Sequence, residues 1–434
     1  MKICASLSKL SDMAEAIDAD MIEIRLDILN NVPGTVEKNT IVTFRDAFDS
    51  SVLPKGYNGM IDIGELPIPK TSLKTISSIH DYEKTPSEKE ISETLNAMVS
   101  DISKGAYAVR NFEDLKNILQ ASKGITKDHV LLGMGQMGEV TRIRQNILKN
   151  MFTFAYVSNS TAPGQLSLKE MRTLGDDCML TGIVGNPLEK SKSQAMHNAA
   201  FAESGISGRY LVFPSPSLDS IEDCIKGFDI RGLNVTIPYK EKIISHLDEL
   251  DEDAKKAGAV NTVVNTEGKL KGYNTDIDGI ELSLRKTKCQ IEGKKVLIMG
   301  SGGASRACIV AVQRNGADVS ITGRNNEVVS QLASEFGLTQ IPEGSSLLGF
   351  DIVINATPVG MYEGGKYPAD INSLSCEQTV LDMVYGVKTQ FINIATERGC
   401  KIATGEDMLA MQGARAFELW TGVDGMFEIM RSNI

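Results

Sequence analysis

With 434 residues, 42% of them hydrophobic and 23% charged, the chain has the bulk of roughly two to four ordinary globular domains. Its net charge of −11 argues against a nucleic-acid partner, and no apolar stretch is long enough to cross a bilayer. The start, MKICASLSKLSDMAEA, lacks a signal-peptide layout, and the seven cysteines are scattered with no C-x-x-C pair. A disulfide framework and a metal site are therefore not expected, and a reducing cytoplasm is the expected compartment.

The first half reads as eight short β-rich runs: KICASL (2–7), MIEIRLD (21–27), TIVTFR (40–45), GMIDIG (59–64), KTISSIH (74–80), ISKGAYAV (102–109), HVLLGMG (129–135) and FTFAYV (152–157). Helix-forming stretches such as SDMAEAID, EISETLNAMV and FEDLKNILQAS fill several of the gaps, whereas ELPIPKTSL is too short and proline-rich for one. Eight strands alternating with helices predict a small (β/α)8 TIM-type barrel over 1–176. His80 ends the fifth run, and its imidazole suits either a structural place or a proton shuttle.

After about residue 177 the rhythm changes to an α/β segment (177–286), followed by KKVLIMGSGGASRACIVAVQRNGADVSITGRN (294–325). That stretch is a strand, a glycine turn, a helix and a second strand, the opening of a dinucleotide-binding Rossmann domain placed at 287–405. Gly300, Ser301, Gly302, Gly303 and Ala304 form the turn, where backbone N–H groups at a helix start can meet a pyrophosphate. After the second strand, Gly323, Arg324 and Asn325 stand where an NAD site usually has an acid. A guanidinium there suits a 2′-phosphate, so NADP is expected over NAD. The helical stretch that opens the C-terminal segment 406–434 is expected to pack back on the preceding domain. Three polar clusters between 182 and 279 have no packing rationale: NVTIPYKEK with Lys240, AGAVNTV with Asn261, and GYNTDIDG with Asp276.

Together with GNPLEKSKSQAMHN (185–198), NATPVGM and QGARAFELWTG, these clusters make the C-terminal half resemble the shikimate dehydrogenase family. The resemblance implies a two-domain dehydrogenase with an α/β substrate domain and the Rossmann domain. It gives Ser191 and Ser193 to a substrate carboxylate, and Thr236, Asn261, Tyr385 and Gln412 to its hydroxyls. Lys240 and Asp276 would be the catalytic pair, with Met383 and Gly405 beside the nicotinamide. Reduction of a ring ketone needs a hydride and a proton for the developing alkoxide, and a lysine held by an aspartate can deliver the proton.

The first half resembles type I 3-dehydroquinate dehydratase, a Schiff-base barrel enzyme, through IEIRLD, TFR, SIHDYEKTP, DISKGAYAV, GEVTRI and STAPGQL. The resemblance implies a Lys104 imine with the substrate, His80 as acid–base group, and contacts from Glu23, Arg25, Arg45, Arg142, Thr161 and Gln165, with Ser6 a further contact. An ammonium in a barrel interior is expensive unless it is used, and a lysine discharged by burial is a nucleophile toward a ketone. Arginines near strand ends suit a carboxylate. Lys104 lies early in its run, so its side chain has to point inward and up the barrel. The family pattern on strand four is D-x-E, and DIGEL (62–66) moves the second acid by one residue; Glu65 reaches the site only through a glycine-permitted bulge.

The expected protein is thus a bifunctional enzyme that dehydrates 3-dehydroquinate and reduces 3-dehydroshikimate to shikimate with NADPH. Its expected partners are these small molecules, with no nucleic acid and no membrane, and a homodimer is compatible with the reading. Two alternatives stand beside this reading: an NAD-dependent quinate/shikimate dehydrogenase, and a ligand-binding regulator derived from decayed enzymes. The presence of Lys104, His80, Lys240 and Asp276 weighs against the second.

Overall fold

In a computed structural model all eight N-terminal runs are strands: β1 (Ile3–Ser6), β2 (Met21–Arg25), β3 (Thr40–Thr43), β4 (Met60–Asp62), β5 (Lys74–Asp81), β6 (Ile102–Ala108), β7 (His129–Met134) and β8 (Thr153–Tyr156). The structure describes residues 1–29, 31–34, 39–361 and 364–434. Parallel ladders join the strands in sequence from β1 to β7, and β8 pairs with β1. The β7–β8 seam is spanned at its start, where Met151 N–H donates to His129 O at 2.9 Å. There the Asn150 amide also imitates a ladder pair, accepting from Leu131 N–H at 2.7 Å and donating to Leu131 O at 2.9 Å.

Strand alternation sorts the barrel interior into layers. Cys4, Ile41, Ile76, Ile102, Val130, Leu132, Phe152 and Phe154 form an apolar cluster, with Met21 and Met60 against it. Two residues further along six of these strands stand Ser6, Glu23, Thr43, Asp62, Ser78 and Lys104, all buried and polar. An apolar floor therefore carries a polar layer toward the C-terminal ends of the strands, the end at which barrel enzymes place their chemistry.

The connecting helices are lean. SDMAEAID forms two 3₁₀ turns, Leu10–Ala14 and Ala16–Asp18, instead of a helix. The buried Asp12 carboxylate accounts for this: it accepts from Ser8 N–H, Lys9 N–H and the Ser158 hydroxyl, which ties the segment down locally. Full helices follow β5 (Glu88–Ala97, opened by a Ser87–Glu90 capping box) and β6 (Phe112–Gly124).

By their contacts, Met1–Leu188 and Ile206–Arg231 form one compact unit, and Glu189–Gly205 with Gly232–Ile434 form the other. In the first unit a parallel strand pair, Met179–Gly185 and Gly208–Pro214, joins the barrel. Arg144, 4% exposed, clamps this junction by donating to the carbonyls of Cys178 (2.9 Å), Phe228 (3.0 Å) and Asp176 (3.1 Å).

In the second unit, the strands Ile230–Val235 (from Gly232 on), Thr262–Thr266 and Lys269–Tyr273 pair antiparallel. The nucleotide-binding sheet is parallel, in the order Thr339–Gln340, Asp318–Thr322, Lys295–Met299, Ile352–Asn355, Thr379–Asp382, Lys401–Ala403, which is the doubly wound order 3-2-1-4-5-6. Strand 295–299 buries both faces, Val296 and Ile298 in one cluster and Leu297 and Met299 in another, as a sheet covered on both sides requires. The C-terminal helix Gly405–Thr421 lies against helix Thr275–Lys286, so closely that a side chain on Gly279 would come within 2.8 Å of Met408 O. At its end Trp420, 1% exposed, donates from Nε1 to Val263 O at 3.0 Å and covers Gly232, where an added Cβ would come within 2.1 Å of that nitrogen.

Candidate active sites

The polar layer of the barrel converges on Lys104. Its Nζ lies 3.1 Å from Asp62 Oδ2, 3.8 Å from Glu23 Oε1 and 4.2 Å from the centroid of the Phe154 ring. Two carboxylates compensate the buried ammonium, and each is fixed from behind. Glu23 accepts from Ser6 Oγ at 2.5 Å and Thr43 Oγ1 at 2.9 Å. Asp62 accepts from Ser78 Oγ at 2.7 Å and Gly64 N–H at 3.0 Å, and Ser78 in turn accepts from Arg45 at 3.0 Å. Burial alone would raise the Asp62 carboxyl, but the charges of Lys104 and Arg45 with these hydrogen bonds hold it below the usual range. The position early in β6 is no obstacle, since Ile102 forms the floor and Lys104 the layer above it.

His80 is half-buried on the neighbouring strand, directly across from Ala106. Its pKa falls to about 3, first through burial and then through the charges of Lys104 and Arg45, so the imidazole is neutral. Arg142 is 2% exposed, and burial lowers its pKa to about 10 against the opposing charge of Glu139. Its Nε has no hydrogen-bond partner among the described residues, while Nη2 reaches Pro163 O at 3.4 Å. Arg25 binds Asp27 and donates to Thr161 O at 3.2 Å, so it holds the 161–165 loop. Gln165 Oε1 closes that loop by accepting from Thr161 N–H, Thr161 Oγ1 and Ala162 N–H. Gly64 adopts φ +59°, and Glu65 is exposed, outside the polar layer.

Asp62, the first acid of the D-x-E pattern, completes this site together with Thr43, Ser78 and Phe154, to none of which the sequence gave a role. The signal for the first three was the strand period: each lies two residues after an apolar floor residue, as Lys104 does.

In the second unit, Lys240 Nζ donates to Asp276 Oδ2 at 2.6 Å, and Asn261 Nδ2 donates to the other carboxylate oxygen at 2.8 Å. Asn261 also reaches Gln412 Oε1 at 3.2 Å and accepts from Thr275 N–H at 2.8 Å and Thr262 Oγ1 at 3.0 Å. Thr262 and Thr275 are the members of this network that the sequence left unassigned. Ser191 and the buried Ser193 stand at the start of helix Ser193–Ser204, with Ser193 N–H donating to Ser191 Oγ at 3.3 Å. Thr236 and Tyr385 are half-buried. Met383 Sδ lies 3.4 Å from Cys308 Sγ, and Gly405 sits where a Cβ would come within 2.5 Å of Val384 O.

The glycine turn adjoins the same lysine: a Cβ on Gly303 would lie 3.8 Å from Cβ and Cδ of Lys240. The turn fits a dinucleotide. Gly300 has φ +124°, a Cβ on Gly302 would meet nothing within 4 Å, and the helix Gly303–Gln313 has no side-chain cap. Ser305 Oγ is buried there with no hydrogen-bond partner among the described residues. Ser301, Gly303 and Ala304 are half-exposed along the turn, and Gly323 packs on Val329. Arg324 is exposed, and Asn325 caps helix Asn326–Phe336 through Val328 N–H and Glu327 N–H.

Three family models match the chain: type I 3-dehydroquinase over 66–175, the shikimate dehydrogenase substrate binding domain over 183–263, and the shikimate 5'-dehydrogenase C-terminal domain over 405–432. The shikimate dehydrogenase (NADP(+)) of Carboxydothermus hydrogenoformans is 38% identical over 274 residues, which are 60% of this chain and 98% of that protein. The shikimate dehydrogenase (NADP(+)) of Pyrococcus furiosus is 40% identical over 267 residues, 59% of this chain and 96% of that one. Among solved structures, the shikimate 5-dehydrogenase of Thermus thermophilus in complex with NADP(H) and shikimate superimposes with a TM-score of 0.54 at 34% identity, covering 59% of this chain and 100% of that one. The chain therefore belongs to the shikimate dehydrogenase family and carries a type I 3-dehydroquinase barrel ahead of it in the same polypeptide, as a bifunctional enzyme of the shikimate pathway.

Proposed function

We propose that the barrel dehydrates 3-dehydroquinate through an imine on Lys104, and that the following domains reduce the resulting 3-dehydroshikimate to shikimate with NADPH. The observation that carries the barrel reading is Lys104 itself, buried between Asp62 and Glu23 with a neutral imidazole on the adjoining strand. Lys104 first passes a proton to neutral His80, its free amine adds to the ring ketone, and that proton returns to the carbinolamine oxygen, which leaves as water as the iminium forms. The iminium acidifies the adjacent carbon. Neutral His80 takes that proton and returns one to the β-hydroxyl, which departs as water. Hydrolysis of the iminium frees Lys104, so the net change is loss of one water. Arg45 and Arg142 are suited to the substrate carboxylate, with the unpartnered Nε of Arg142 supporting that role. Thr161 and Gln165 present the loop that Arg25 holds as a further substrate contact, and Ser6 and Glu23, also proposed as substrate contacts, steady Lys104 as well.

In the dehydrogenase, Ser191 and Ser193 receive the carboxylate at a helix start, and Thr236, Asn261, Tyr385 and Gln412 receive the ring hydroxyls. Residues 300–304 and 323–325 hold the dinucleotide, with the exposed Arg324 suited to a 2′-phosphate. Met383 and Gly405 border the nicotinamide, and NADPH supplies the hydride when bound. Lys240, held by Asp276, delivers the proton to the alkoxide. Under this reading 1–176 is the dehydratase barrel, 177–286 the substrate domain, 287–405 the NADP domain, and 406–434 the helices that return to the substrate domain.

Borohydride added during turnover of 3-dehydroquinate should leave a reduced adduct on the peptide containing Lys104. The His80→Ala variant should still form it while dehydrating roughly 10²–10⁴-fold more slowly. An unmodified Lys104 in folded, substrate-saturated protein would remove the barrel assignment.

A further inference from the structure

Arg209 lies on strand Gly208–Pro214, inside the stretch that matches the dehydrogenase substrate-binding model, yet that strand packs with the barrel in one compact unit. Its side chain is 18% exposed and bonds two carboxylates, with Nε 2.7 Å from Glu139 Oε1 and Nη1 3.1 Å from Glu170 Oε1. Glu139 lies on the helix of Arg142, and Glu170 on the helix that follows the Thr161–Gln165 loop.

Glu139 begins the helix Glu139–Ile143, which carries Arg142 one turn later. It is 7% exposed; burial pushes its carboxyl up, and the charges of Arg209 and then Arg142 oppose that rise. Glu139 and Arg142 stand three residues apart on that helix, a spacing at which the two side chains can meet, so a Glu139 carboxylate deprived of Arg209 has Arg142 within reach. An ion pair between them would occupy the guanidinium whose Nε is otherwise unpartnered. Glu170 closes a capping box with Ser167, accepting from Ser167 N–H at 2.9 Å and Oγ at 2.6 Å. That box starts helix Leu168–Leu174 directly after the Thr161–Gln165 loop, to which Arg142 donates at Pro163 O. One guanidinium thus braces both the arginine and the loop that would enclose a carboxylate.

We propose that Arg209 is a positioning residue for the dehydratase: by holding Glu139 away from Arg142 and bracing the helix behind the loop, a residue of the dehydrogenase-like segment completes the barrel's carboxylate pocket. The inference rests on Arg142 being a carboxylate contact, as read above. It gives the linkage of the two enzymes a local chemical content, since the pocket is finished by residues that follow the barrel in the chain.

The test uses the full chain. Arg209→Gln should raise KM for 3-dehydroquinate roughly tenfold with a much smaller change in kcat, and leave shikimate dehydrogenase kinetics unaltered. Arg209→Lys should recover part of the loss. In the double variant Arg209→Gln/Glu139→Gln no carboxylate competes for Arg142, so KM should return most of the way. Asp223→Asn, which breaks the 3.0 Å pair with Lys116 in the same segment, should leave KM unchanged. An unchanged KM in Arg209→Gln, a double variant no better than the single one, or an equal shift in Asp223→Asn would each overturn the proposal. If the unmodified protein does not dehydrate 3-dehydroquinate at all, the functional reading fails instead, so the two failures are separable.

Discussion

Lys104 and Lys240 are both ammonium groups held by an aspartate, and their surroundings give them different work. Lys104 is 4% exposed and has a second carboxylate and an aromatic face around it, a closed environment suited to covalent chemistry. The Lys240 side chain is 19% exposed, and its aspartate is steadied by Asn261 on the far oxygen, so the proton it carries can be replaced from solvent. Lys240→Ala should lower kcat for 3-dehydroshikimate reduction by roughly 10²–10⁴-fold. Affinity for NADP, read by fluorescence titration, should be nearly unchanged, and turnover near that of the unmodified protein would end the assignment. At this scale the sequence was informative wherever a charged group had no packing rationale, as with Lys104, Lys240 and Asp276. For Asp62 the sequence offered only the first acid of the D-x-E pattern, with no partner assigned to it. The strand period aligns it with Ser6, Glu23, Thr43, Ser78 and Lys104, and the structure shows that these six form one buried polar layer.

Among elements, the strands were readable and the short helices were not. Buried β-branched runs with polar residues at every second place specify a strand by period alone. SDMAEAID has a helical composition, yet Asp12 binds its own neighbours and the segment winds as 3₁₀ turns, a local competition that composition does not display. The β7–β8 seam is another such case, because a side chain, Asn150, makes the bonds that a backbone ladder would make. Asn150→Ala leaves the Leu131 backbone groups without that partner and should cost about 1–3 kcal/mol of unfolding free energy. Urea unfolding followed by far-UV circular dichroism measures it, and an unchanged midpoint would mean that the seam closes by other means.

Across the whole molecule, two of the four histidines are held neutral: burial brings both His80 and His197 down to about 3 from 6.5, with neighbouring cations adding to the effect at His80. Between those values the unfolded chain binds protons at these sites and the folded protein does not. The stability that these two sites contribute is therefore fully present above about pH 6.5 and is lost as the pH is lowered toward 3. The thermal midpoint should decline through this window, and His197→Gln should reduce the proton uptake on unfolding by about one. A midpoint flat from pH 7 to 4 would contradict the assignment. The overall classes, a barrel followed by a doubly wound domain, were legible from strand spacing and the glycine turn. The packing of residues 206–231 with the barrel was not, because it depends on long-range bonds such as those of Arg144 and Arg209 that leave no periodic trace.

Trp420 is the one tryptophan of the chain, and it belongs to the second unit, packed on Gly232 and 5.2 Å from the His197 ring. Intrinsic emission excited at the red edge is consequently a beacon for the second unit, since the first holds no tryptophan. A melt recorded that way dates the loosening of the surroundings of Trp420 in the second unit, and the imidazole beside the indole makes its brightness a gauge of protonation there.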